Sequence, residues 1–487
     1  MKSIAVIGAG LGGLVAGNLL ARKGYKVTIF ESHDAPGGYT AGFRRKGFYF
    51  ESGTLSFESS SLVFNTLKDI GVYDKLTFEH HRYRFITSDY DGTPATFEHY
   101  KKMLMDAYPQ QVEPLRRYFK EIDALYRPMA GYMSGSRIGK YKAMAALALL
   151  YVKHRGRTIT EFTSRYFPRG TPLYHTLTNL GYPEMSALFI GGAFYTLFED
   201  YWTVKEGFQA LADVLAERFK QNGGTLRLHS PVDKITLQNG TATGVVCKGE
   251  EIPADIVISA CDYKHTFLSL LDSGGIAPDT LDKVRDTAVS EGVCTVYLGL
   301  SLSNDELLER LKASLILYDE TGQDLNIYES GDDPAYFEKA AFSIHHLSEK
   351  CASLAPQGKS SIMLQAGAPY HWMDNWGGGD RKRYLELKKQ VMETFLQRFE
   401  ARFTGITRAI EFKDMATPRT YERYTKNTDG ATSAWSWNPK NKFYKKMMGV
   451  YVDTPVKNLY IGSCWATQIG GLPGAINAAY KCVKKIG

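Results

Sequence analysis

The stretch Ser3-Ile-Ala-Val-Ile-Gly-Ala-Gly-Leu-Gly-Gly-Leu-Val-Ala-Gly17 constrains this chain more than any other part of it. An apolar run, Ile4 to Ile7, breaks into glycines at Gly8, Gly10 and Gly13 and resumes as a helical repeat from Leu14 to Arg22. A second apolar run, Lys26 to Phe30, ends on Glu31. Strand, tight turn, helix, strand and terminal acid together form a dinucleotide-binding pattern. Gly8 permits the turn, Gly10 lets a pyrophosphate reach the backbone, and Gly13 brings the helix close to the sheet. The helix N-terminus offers unpaired N–H groups and a positive dipole end to phosphate. Glu31 is placed to accept hydrogen bonds from a ribose.

At 487 residues the chain needs at least two domains, because single cores stop growing at roughly 250–300 residues. Its 31 Tyr and 25 Phe suit a large apolar cavity, and equally suit aromatic cores. A net charge of +7 is too small to imply nucleic acid. The six cysteines include no C-x-x-C pair, which predicts reduced thiols and a cytoplasmic protein rather than a disulfide framework or zinc site. The first strand begins almost at Met1, so no signal peptide is expected before it, and no run approaches the roughly 18–20 apolar residues of a membrane span.

After Glu31 come Gly37-Gly38-Tyr39, then Phe43, Gly47, Phe50 and Gly53. The order of G-x-G-x-x-G, acid, Gly-Gly and Phe-x-x-x-Gly-x-x-Phe-x-x-Gly resembles the FAD-binding start of the phytoene desaturase, carotenoid isomerase and retinol saturase superfamily. Its wider relatives are the amine oxidases and protoporphyrinogen oxidases. The resemblance implies an α/β fold: a Rossmann-type FAD-binding domain, discontinuous in sequence (1–70, 203–265 and 440–487), and a mixed-sheet plus helical substrate domain (71–202 and 266–439).

Residues 60–200 carry helical periodicity at Leu62–Ile70, Tyr100–Tyr108 and Val112–Tyr126. Ala143 to Val152 is apolar throughout, flanked by Arg137, Lys140 and Lys142 and by Lys153, Arg155 and Arg157. Such a helix, near 140–155, either lies in a membrane interface or packs as a core helix with solvated ends. The resemblance favours peripheral membrane contact. The aromatic stretch Gly191 to Trp202 leads into a helix ending near Gln221. There the family pattern is similar to Tyr-Pro-x-Gly-Gly, whereas this chain has Thr203-Val204-Lys205-Glu206-Gly207.

Thr225–His229, Val232–Leu237, Ala242–Cys247 and Ala254–Ala260 read as strands, with Asn239-Gly240 as a hairpin turn. The resemblance sets Val232 against the adenine. Residues 265–415 alternate helices (Leu281–Val289, Arg381–Phe403) with strands (Val293–Leu300, Leu315–Tyr318, Ser360–Gln365), predicting a second, mixed sheet. The segments Ala416-Thr417-Pro418 and Asn427-x-x-Gly430 resemble the family's return toward the flavin.

Asn458 to Ile461 predicts a strand opening into Gly462-Ser463, and Gly470-Gly471-Leu472-Pro473-Gly474-Ala475 starts a helix to about Lys485. Proline is tolerated in a first helical turn. The glycines leave the helix N-terminus bare, so its dipole faces the electron-rich edge of a reduced flavin. Where the family often has Gly-Asp this chain has Gly462-Ser463, whose hydroxyl can still donate to the ribityl and phosphate region.

The cofactor-binding set is therefore Gly8, Gly10, Gly13, Glu31, Gly37, Gly38, Val232, Gly462, Ser463, Gly471, Leu472, Pro473 and Ala475. Phe194, Tyr195, Trp202 and Trp435 are candidates for the substrate slot, and Tyr195 or Glu199 for a proton donor. His80-His81 and His345-His346 are adjacent pairs whose side chains point to opposite faces of a strand, so no metal site is expected. The resemblance implies an FAD enzyme acting on carbon–carbon double bonds of a polyene, isoprenoid or unsaturated lipid. An amine or protoporphyrinogen oxidase, and a non-catalytic lipid carrier of similar architecture such as the Rab GDP-dissociation inhibitors, are the alternatives. The partner is a hydrophobic small molecule; no nucleic acid is expected.

Overall fold

A computed structural model describes residues 2–134, 137–178, 184–272, 276–322 and 325–487, with the backbone alone for 129–134 and 137–141. Among the described residues, five parallel strands form one sheet in the order Leu459–Ile461, Ile256–Ser259, Ser3–Ile7, Lys26–Phe30, Thr225–Arg227. The inner strands read as continuous apolar runs because a parallel sheet is covered on both faces: Ile4 to Ile7 and Ile256 to Ser259 are all buried. The helices Leu11–Arg22, Phe208–Gln221 and Gly471–Ile486 pack around this sheet. At Gly17 the first helix comes so close that a Cβ would lie 2.7 Å from Ile29 Cδ1.

A second, mixed sheet runs Ile410–Ala416, Gly292–Leu300, Ser360–Ala368, Phe342–His346, Leu315–Asp319, Arg84–Thr87, Asp91–Gly92. All neighbours are antiparallel except Leu315–Asp319 with Arg84–Thr87. The helix Arg381–Arg402 covers it through Leu387, Val391, Phe395 and Phe399, a stripe at i+4 spacing. The helices Phe97–Ala107, Val112–Ser134, Arg137–His154 and Ile190–Glu199 build a third core around Tyr100, Tyr118, Phe119 and Phe162.

The expected hairpin at Asn239-Gly240 has both residues at positive φ, 51° and 72°, as a two-residue turn requires. Residues 60–200, expected to be mainly helical, also contain the strands Phe78–His80 and Arg84–Thr87. The first pairs with Trp202–Val204, the second with Leu315–Asp319. Strands of three or four residues carry too little periodicity to be read locally. The helix expected at Leu281–Val289 is Pro278–Asp286, starting on its proline.

Candidate cofactor and active site

Gly8, at φ +97°, turns the chain out of the first strand. Glu31 holds that turn from beneath: Oε2 accepts the Ala9 N–H at 2.8 Å and Oε1 the His33 N–H at 3.0 Å. A carboxylate has about four acceptor positions, so capacity for a ribose hydroxyl is left. Gly37 N–H donates to Ala9 O at 2.9 Å, and Gly38, at φ +58°, lies against Gly10. Ser230 N–H donates to Glu31 O at 2.6 Å, bringing Val232, two residues on, to the same end of the sheet.

The glycines of the turn serve two different ends. A Cβ on Gly12 would run into the Gly462 carbonyl oxygen, and one on Gly13 into the Gly8 carbonyl oxygen. These two allow backbone to pack on backbone. A Cβ on Gly10 would meet nothing nearer than Gly37 O at 3.9 Å, so there it would fill the cradle itself. The helix behind Gly10 has no side-chain cap and no acid in its first turn, leaving its N–H groups and dipole for an anion. This arrangement fits a dinucleotide diphosphate.

The C-terminal segment builds the second wall. Gly462 N–H donates to Ser259 O at 2.7 Å, setting this turn beside the exit of the strand Ile256–Ser259. The Ser463 hydroxyl donates to Cys261 O at 2.8 Å. In this position the hydroxyl ties two strand exits together. The helix Gly471–Ile486 also begins without a side-chain cap or a first-turn acid, and Gly471 is at φ +73°. Leu472 and Pro473 are half-buried in its first turn, and Ala475 is buried. The segment after the helix Pro418–Thr425 closes over both walls. Tyr39 Oη donates to Gly430 O at 3.1 Å, Thr428 N–H to Asp262 Oδ2 at 2.6 Å, and Trp465 Nε1–H to Asn427 Oδ1 at 2.9 Å. Burial pushes the Asp262 carboxyl up to about 6.

Two acids absent from the sequence-derived set lie on segments that reach the start of the C-terminal helix. Glu58 Oε1 lies 3.8 Å from where a Cβ on Gly471 would stand. Burial raises its pKa, and the Asp200 charge adds to the shift. Tyr201 neighbours Glu58, and the Tyr201 ring lies 5.7 Å from that of Tyr83. Glu291 is tied to the same region through its backbone. Its carbonyl accepts the Thr432 hydroxyl at 3.0 Å, and the adjacent Ser290 hydroxyl accepts the Ser433 N–H at 2.8 Å. The Ser433 carbonyl in turn abuts Gly470. Burial pushes the Glu291 carboxyl up to about 7, although Tyr328 Oη donates to it at 2.7 Å.

The four substrate-slot candidates do not come together. Phe194 stacks on Phe97 at 5.2 Å inside the helical core, 3% exposed. Tyr195 stacks on Tyr126 at 3.7 Å and turns its hydroxyl toward Asp123. Trp435 is fully buried, stacked on Phe443 at 4.0 Å, with its indole N–H donated to Trp465 O. Phe194 and Trp435 are thus corrected to core residues: helix–helix and loop packing claims their faces. Trp202 stays beside the Glu58 cluster, half-buried, with Nε1–H donated to Asp200 at 3.0 Å. Glu199 accepts the Phe97 N–H, a helix-end bond, so neither it nor Tyr195 stands at the flanks of Gly470-Gly471.

The profile of the flavin-containing amine oxidoreductases matches residues 11–486, and the chain belongs to that family; FAD is its cofactor. The chain is 25% identical, over 91% of its length and 88% of the relative's, to a 4,4'-diapophytoene desaturase (4,4'-diapolycopene-forming) of Methylomonas sp. It is 24% identical to prolycopene isomerase 2 of an Oncidium hybrid cultivar, over 95% of this chain and 80% of that protein. Among solved structures, putrescine oxidase bound to putrescine has the same fold, with TM-score 0.65 at 14% identity over 100% of this chain and 98% of that one.

Proposed function

We propose that the protein is an FAD-dependent enzyme acting on carbon–carbon double bonds of a polyene, isoprenoid or other unsaturated lipid, by desaturation, saturation or cis–trans isomerisation. The observation that carries this reading is the convergence of two uncapped helix N-termini on one end of the parallel sheet, with the Glu58 carboxyl beside the second and the Glu291 backbone linked to it through Thr432 and Ser433. The desaturase and isomerase relatives, matched over nearly the whole chain, supply the substrate class.

Gly8, Gly10, Gly13, Glu31, Gly37, Gly38 and Val232 would hold the adenosine and diphosphate, and Gly462, Ser463, Gly471, Leu472, Pro473 and Ala475 the flavin end. When bound, FAD supplies hydride acceptance or donation. Glu291, whose carboxyl burial pushes up to about 7 and whose Oε2 accepts the Tyr328 hydroxyl, is the candidate for giving or taking a proton. Glu58 offers a second carboxyl whose neutral form burial favours. The boundaries 1–70, 203–265 and 440–487 for the cofactor domain, with 71–202 and 266–439 for the substrate domain, belong to the same proposal.

Substrate entry from a bilayer is part of it. The helix Arg137–His154 exposes Met144 at 52%, Leu149 at 75% and Val152 at 65%, beside exposed Lys142, Lys153 and Arg155. The side chains of Arg137 and Lys140 lie outside the described residues. Among the described residues no helix is long and apolar enough to cross a membrane.

The test is turnover by the reduced and oxidised holoprotein of candidate polyenes, fatty acids and amines, read by product analysis under anaerobic conditions. Conversion of a polyene supports the reading; reaction with amines alone overturns it.

A further inference from the structure

A cleft of about 750 Å³ lies between the connection that follows the strand Ile256–Ser259 and the helices Arg381–Arg402 and Pro418–Thr425. This is within the roughly 300–1,000 Å³ of small-molecule sites. Lys264, His265 and Arg285 line one side, and Arg381, Arg419, Arg423 and Lys426 the other. Against these stand two lining carboxylates, and both are already engaged. Asp380 accepts the Lys382 and Arg383 N–H groups as a helix cap. Glu422 accepts the Tyr370 hydroxyl at 2.6 Å and the Asp429 N–H.

Most of the cations have no charge partner. Arg285 pairs with Asp282, but among the described residues Arg381, Arg419, Arg423 and Lys426 make no ion pair. Arg419 is braced by donating to Asn375 O at 3.2 Å, and Arg423 lies over the Tyr424 ring at 4.7 Å. Lys264 is 9% exposed and donates to Arg285 O at 2.8 Å, which leaves two of its three ammonium donors for another acceptor. Burial holds the Lys264 ammonium below its usual pKa, and Asp429, Asp262 and Asp286 offset that only in part, so an added anion would favour its charged form. Several guanidinium forks converging on one concavity match the oxygens of phosphate, which they bind bidentately.

We propose that this cleft is a second anion site, separate from that of the FAD diphosphate, which takes a ligand carrying a phosphate or diphosphate group. Lys264 follows Asp262 by two residues, and Asp262 holds Thr428 beside the cofactor wall, so the two sites share a connection.

The test is calorimetric titration of the FAD-loaded protein with inorganic pyrophosphate, whose own diphosphate site is then filled. Arg381→Gln and Arg423→Gln change exposed side chains, and flavin absorbance and thermal midpoint check that each variant is folded. We expect saturable binding, weakened about tenfold by each substitution, as for the loss of one charge-assisted contact. Vesicles of phosphatidylglycerol and of phosphatidylcholine separate the sources. Binding to the anionic vesicles alone, competed by pyrophosphate and lost in the variants, makes the ligand a lipid headgroup. Pyrophosphate binding without it makes the ligand a free phosphate compound. Absence of pyrophosphate binding in the wild type, or equal binding in both variants, overturns the proposal.

Discussion

The nucleotide end of the molecule and the space beyond the C-terminal helix are built in different ways. At the nucleotide end the functional parts are backbone: the turn at Gly8, the N–H groups behind Gly10, the Gly37 contact with Ala9 O, and the uncapped start at Gly470-Gly471. On the substrate side the proposed groups are side chains, Glu58, Tyr201, Trp202, Glu291 and Tyr328, drawn from four separate segments. A backbone site needs residues that stay out of the way, and a side-chain site needs neighbours that tune the groups it presents. The consequence of a substitution should therefore differ in kind between the two.

On the backbone side the effect should depend on what the new Cβ meets. Gly12→Val drives a side chain into the Gly462 carbonyl oxygen between the first helix and the C-terminal turn. It should cost 3 kcal/mol or about that, enough to abolish soluble expression of a marginally stable fold. Recovery of folded protein with a normal thermal midpoint would break the distinction between packing and cradle glycines.

Away from that wall, Trp435→Ala should cost about 3–5 kcal/mol in urea unfolding, as expected for a fully buried indole. Trp202→Ala, at a half-buried ring, should cost less and act mainly on turnover. The reverse order would return Trp435 to the substrate slot.

Glu291→Gln should lower kcat by about a hundredfold while flavin binding is kept, if the carboxyl handles a proton. The same residue gives a pH dependence of stability. The folded protein holds the Glu291 proton up to about pH 7, whereas an ordinary glutamate releases it near 4.5. The folded state therefore binds more protons between these values, and stability falls as pH rises through that window. Urea midpoints at pH 5 and pH 8 should differ less in Glu291→Gln than in the wild type. The smallest effect on the fold belongs to Leu149→Asp with Val152→Asp, which should leave the midpoint unchanged and reduce cosedimentation with vesicles.

Why the backbone half was legible in sequence follows from its construction. Glycines at Gly8, Gly10 and Gly13 have few other reasons to follow an apolar run, and Glu31 and Gly37-Gly38 stand at fixed distances from them. The side-chain half was not. Glu58 and Glu291 look like ordinary surface acids until the fold buries them beside Gly471 and Ser433, and aromatic density around Phe194 marked a core instead of a slot. The short strand Arg84–Thr87 was invisible for a related reason, since its partner Leu315–Asp319 lies more than 200 residues away. The acceptor of the Ser463 hydroxyl, the Cys261 carbonyl 202 residues away, is likewise set by tertiary structure.

The claim on which everything else depends is that the two bare helix N-termini hold one FAD. Titration of the apoprotein with FAD, followed by flavin fluorescence, tests it most directly in the wild type and in Gly10→Val. The account predicts one FAD per chain in the wild type. In Gly10→Val, where the new side chain meets no protein atom closer than 3.9 Å from its Cβ, it predicts affinity weakened about a hundredfold or more with an unchanged apoprotein midpoint. A wild-type protein that takes up no FAD, or a Gly10→Val variant that binds it as tightly as the wild type, would contradict it.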